Sequence, residues 1–148
     1  MNATAVTSKE VQVLEDIRKY FEFLFERGYV IYSKQIFSVE FDAWEVVLKN
    51  QDFFIKFEEE KGGLDLSFGS PSKGFMRIRA LIYYLSKERK FIGLGSGCIS
   101  FLRNHMETEA KLLQQYIDKF EASFGGEFPS TIEEAKLAED RYYRKITG

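Results

Sequence analysis

A chain of 148 residues, 45% hydrophobic and 30% charged, fits one compact domain that can bury roughly 70% of its unfolded surface unaided. Its single cysteine excludes an internal disulfide and a cysteine metal cage, its single histidine excludes a histidine-rich metal site, and no apolar run approaches the roughly 20 residues that span a bilayer. The net charge of -2 is unevenly spread, with eight acids against three lysines between residues 40 and 66, and seven basic residues against Glu88 alone between residues 71 and 103. Such segregation describes either two solvated surfaces or a dipolar one that steers a charged partner. The start MNATAVTSKE lacks the basic and apolar regions of a secretion signal, and the chain is expected to be cytoplasmic.

The first predicted element is an amphipathic helix over residues 8–27. Leu14, Ile17, Phe21 and Leu24 recur at three and four residues, Thr7 and Glu10 have the spacing of a capping box, and Gly28 stands where a left-handed residue ends a helix. A strand rich in β-branched and aromatic residues follows at 29–37. Residues 43–69 then alternate apolar and polar three times, through Trp44, Val46, Leu48, then Phe53, Ile55, Phe57, then Leu64, Leu66, Phe68. Short connections between the runs imply antiparallel neighbours. The prediction is therefore a single α+β domain over 1–148, with a four-stranded antiparallel meander (29–37, 43–50, 52–60, 64–69) covered by the N-terminal helix and three C-terminal helices (74–87, 98–124, 130–146).

The other face of that meander is charged, with Val47 and Phe54 embedded in it. If these two are cross-strand neighbours and meet Tyr32 or Ile36, the spot becomes a patch of the kind that marks partner surfaces. Val47, Phe54, Lys56, Glu58, Glu60 and Asp65 are the candidate partner-binding residues. A secondary basic patch comprises Arg77, Arg79, Arg89 and Lys90, but the acidic pI of about 5.6 and the lack of a nucleic-acid-binding signature argue against nucleic acid.

No catalytic constellation emerges. Lys73 precedes the last glycine of 69–74 instead of following it, so the phosphate-loop pattern fails, and the 93–97 glycines lack the context of a dinucleotide fingerprint. Cys98 and His105 stand about 10.5 Å apart along a continuous helix at about 1.5 Å per residue, beyond hydrogen-bond reach. Glu58, Glu59 and Glu60 have no EF-hand spacing and suit a solvated hairpin tip. No cofactor is implied.

The order helix, antiparallel meander, helices resembles small bacterial α+β proteins of the polymorphic-toxin immunity kind. The residues that carry it are Trp44-Glu-Val-Val-Leu48, the acidic hairpin through Lys61-Gly62-Gly63, and Leu64-Asp-Leu-Ser-Phe-Gly69. The resemblance carries over no functional residue; charge segregation without a catalytic constellation points to a non-enzymatic protein-interaction module of immunity or adaptor type, binding a protein partner or a homo-oligomer through the acidic sheet face or the hairpin tips. The alternative is a small-molecule binder or enzyme whose pocket lies between the sheet and the 93–97 loop.

Overall fold

A computed structural model describes residues 3–51, 53–60, 63–70, 74–85 and 101–125. In chain order these form α1 (Ala3–Tyr20), α2 (Glu22–Glu26), β1 (Val30–Ser38), β2 (Ala43–Asn50), β3 (Phe53–Glu60), β4 (Gly63–Ser70), β5 (Gly74–Arg77), α3 (Ile78–Leu85) and α4 (Phe101–Gly125). The expected helix at 130–146 lies outside the described residues.

The sheet has the order β1-β2-β3-β4-β5, with every neighbouring pair antiparallel. It has five strands, not four. The apolar spacing that suggests a helix from Phe75 holds only from Ile78, because Gly74–Arg77 pairs with the end of β4, Phe68 opposite Met76 and Ser70 opposite Gly74. A hairpin that places Met76 beside Phe68 buries it among the core residues, which a helix begun at residue 74 would not do.

Register lays the inner face out in three full rows, with Phe53 opposite Asn50 beyond the third. Ile36, Trp44, Glu59 and Leu64 form one, Lys34, Val46, Phe57 and Leu66 the next, and Ile31, Leu48, Ile55, Phe68 and Met76 the third. All nine apolar positions expected on this face are on it, with Phe53 and Leu64 half-buried and the rest buried. Ile17, Phe21 and Leu24 cover it from the N-terminal side, and Leu113, Ile117 and Phe120 of α4 from the other. Phe21 meets Phe57 edge-on with centroids 4.8 Å apart, and Phe68 meets Phe120 at 5.5 Å. Each fully buried ring is worth about 1.5–3 kcal/mol, against at most about 1 kcal/mol for an exposed pair such as Glu107–Lys111, so ring packing dominates.

The N-terminal helix departs from expectation twice. It begins at Ala3, and Thr7 Oγ1 donates to the Ala3 carbonyl at 3.0 Å within the helix, so the Thr7–Glu10 spacing is not a start signal. It also breaks at Phe21, whose backbone (φ -114, ψ 30) leaves helical geometry where its ring is fully buried. α4, by contrast, runs unbroken from Phe101 to Gly125.

Gly28 ends α2 as expected, at φ +94. Its N–H donates to Phe25 O at 3.1 Å and the Tyr29 N–H to Leu24 O at 3.0 Å, the paired bonds of a Schellman motif. The same corner is clamped to α4, because Arg27 donates to Asp118 at 2.8 Å and to Glu121, and the Tyr29 hydroxyl donates to Glu121 at 2.7 Å. Burial pushes the Tyr29 hydroxyl above its ordinary value, and the hydrogen bond and charge of Glu121 push it further. A group raised in the folded state lends stability in full below its unfolded value of about 10 and loses it as pH rises beyond that. Tyr29→Phe is therefore expected to lower stability by about 1.5–3 kcal/mol at neutral pH and to flatten the alkaline fall, as read by urea unfolding across pH 7 to about 11. An unchanged alkaline limb would contradict this assignment.

Candidate partner-binding face

The outer face of the sheet follows from the same register. Lys49, Phe54, Gly69 and Phe75 form a first row, and Ser33, Val47, Lys56, Ser67 and Arg77 a second. Gln35, Glu45, Glu58 and Asp65 form a third, with Glu60 opposite Gly63 beyond it. All six candidate residues, Val47, Phe54, Lys56, Glu58, Glu60 and Asp65, therefore share one face. Among the described residues, no helix supplies a ring or ion-pair partner to any of these six.

The first two rows are aromatic and cationic. Phe54 lies 5.4 Å from Tyr32 and 6.3 Å from Phe75, centroid to centroid. Tyr32 reaches it from an irregularity of β1, where the pairing shifts by one residue between Ile31 and Ser33. Ile36, the other conceivable neighbour, belongs to the inner face opposite Trp44. The Lys49 ammonium stands 5.5 Å from the Tyr32 and Phe54 ring centres, and that of Lys56 4.6 Å from Phe75. Each such contact is worth about 0.5–1 kcal/mol at an exposed site. Val47 is buried, 8% exposed, so the apolar part of the face that reaches solvent is its rings.

The third row has no such internal logic. Glu45 stands directly opposite Glu58, and Glu58 directly opposite Asp65. Like charges in directly opposed cross-strand positions destabilise a sheet. Three adjacent acids in this arrangement do not stabilise the sheet they sit on.

Glu59 points the other way, as period two requires, but it is no part of a solvated tip. It is 6% exposed and accepts a 2.7 Å hydrogen bond from Trp44 Nε1. The alternation Phe53, Ile55, Phe57 carries on to residue 59, so a carboxylate beside an inward indole N–H was the signal available. Of the secondary basic patch, Arg77 and Arg79 lie among the described residues, and both line the cleft between the sheet and α4. Arg77 is exposed at the end of the second outer row, whereas Arg79 turns to α4 and pairs with largely buried Glu109. Arg89, Lys90, the 93–97 glycines and Cys98 lie outside the described residues.

Where the acidic rows end, a cleft of about 700 Å³ opens between Trp44, Glu59 and Leu64 of the sheet and Glu109 of α4, with Glu60 and Arg79 also on its wall. Among the described residues, no group of three or more His, Cys, Asp or Glu is placed to hold a metal ion, and no helix is long and apolar enough to cross a membrane. No protein-family model matches the chain, and neither does any curated protein or any solved structure.

Gly69 is what lets the rings of the first row meet. A Cβ there would lie 2.1 Å from the Gly74 carbonyl oxygen and 2.8 Å from Phe75 Cα, both backbone atoms that cannot swing aside, whereas at Gly63 the nearest atom is 3.6 Å away. Gly69→Ala is expected to cost about 1–3 kcal/mol in chemical unfolding and Gly63→Ala under about 0.5 kcal/mol. Equal effects would show that β4 and β5 are not packed this closely.

Proposed function

We propose that this chain is a non-enzymatic, cytoplasmic protein-interaction module of the immunity or adaptor type, and that it binds a protein through the outer face of its sheet. The observation that supports this most is the row Glu45, Glu58, Asp65, three carboxylates side by side on a face with three rings and two lysines next to them. Stability alone disfavours that row; recognition of a basic surface gives it a use. The test immobilises wild type, a Glu45→Lys/Glu58→Lys/Asp65→Lys variant, and a Glu107→Lys control on exposed α4, and compares the proteins each retains from host extract. A partner retained by wild type and control, and lost by the triple variant, is expected. Identical retention by all three would sink the reading.

The rival, a small-molecule binder or enzyme, draws its support from the cleft beside Glu59 and Arg79. A small molecule that co-purifies with wild type in native mass spectrometry and is absent from Glu59→Leu would select it, and its absence from both would remove that support.

A further inference from the structure

The outer face is charge-segregated in a way that matches itself. Its first two rows carry Lys49, Lys56 and Arg77, while the rows beyond carry Glu45, Glu58, Asp65 and Glu60. The boundary between the halves crosses the strands at the level of Phe57. We propose that the occupant of this face is a second copy of the chain, packed sheet against sheet about a twofold axis that lies in the interface along this boundary. This rests on the reading that the outer face is a binding face and names the partner.

A twofold axis in that position lays each basic row of one copy on an acidic row of the other, which is the self-complementarity an isologous dimer requires. At β3, the middle strand, Lys56 and Glu58 flank the axis, one residue to either side of Phe57. Lys56 then faces the partner's Glu58, and Glu58 faces the partner's Lys56. Sheets pack about 10 Å apart, a span that a lysine and a glutamate fill end to end. Among the described residues neither side chain is in an ion pair, so each charge is available to the other copy. Five strands about 4.8 Å apart and four rows about 6.8 Å apart give a face of roughly 600 Å² in projection, approaching the roughly 800 Å² per partner of a standard interface.

The geometry sets an unusual rule for charge reversal. In Lys56→Glu both central pairs become acid against acid, and in Glu58→Lys both become base against base, so each variant alone repels itself. Mixed together, the two restore both pairs, and the double variant Lys56→Glu/Glu58→Lys restores them within one chain. The experiment is sedimentation velocity on the full chain, with circular dichroism to confirm that every variant is folded. Wild type is expected to dimerise in about 0.05 M salt and to dissociate toward about 0.5 M salt. Each single variant is expected to weaken dimerisation about tenfold or more, and the equimolar mixture and the double variant to recover it. Wild type that stays monomeric at low salt, or a mixture that stays monomeric, overturns the inference. If the Glu45/Glu58/Asp65 variant still loses a host partner in that case, the binding-face reading stands and only the second copy falls; if it loses none, both fall.

Discussion

The alternation along β3 is the constraint on which the rest of the structure depends. Ile55 and Phe57 are wholly buried in the central strand, and Phe57 meets Phe21 edge-on across the gap to the N-terminal helices. Because side chains in a strand change face at every residue, seating these two inward commits Phe54, Lys56, Glu58 and Glu60 to the other side. A slip of one residue would exchange the whole set, placing lysine and two glutamates against Leu48 and Phe68, so the core fixes the outer face as firmly as itself.

The buried charges follow the same economy. Glu59 enters the core side because period two leaves it no alternative, and the Trp44 N–H gives it a hydrogen bond there. Arg79 and Glu109 join α3 to α4, and Arg27 and Tyr29 join the end of α2 to Glu121, so polar contacts sit at the seams between elements and rings fill the middle. A buried pair of this kind is costly to break from one side, since the remaining charge loses its partner in a poorly solvated place. The outer acids differ in kind. Among the described residues no ion pair reaches the row Glu45, Glu58, Asp65, whose acids stand opposite one another on the outer face.

Much of this was legible from the chain alone where one periodicity dominated a segment. Trp44 to Phe68 alternate without interruption, so the inner face was readable residue by residue, and Gly28 was readable because a left-handed helix end favours glycine. What escaped was decided by cross-strand and tertiary partners rather than by apolar spacing. Residues 74–77 look like the first turn of a helix until β4 offers them a ladder, and Phe21 looks like one more helix position until Phe57 claims its ring. The register irregularity that brings Tyr32 to Phe54 leaves no mark in composition, since it depends on how β1 meets β2. The six outer-face residues could be assigned to one side by parity, but the rows they form, and so the separation of charge, needed the register.

The central claim is that one face of the sheet carries the core while the other carries rings and charges that, among the described residues, no helix packs against, with Tyr32 the most exposed of the rings. Solvent paramagnetic relaxation of the aromatic side chains, read by NMR on dilute protein at high salt, tests it directly. The account predicts strong relaxation of Tyr32, intermediate relaxation of Phe54 and Phe75, and almost none for Phe21, Phe57 and Phe68. Protection of Tyr32, Phe54 and Phe75 as complete as that of Phe57 would mean that the outer face is already covered within one chain, and would contradict it.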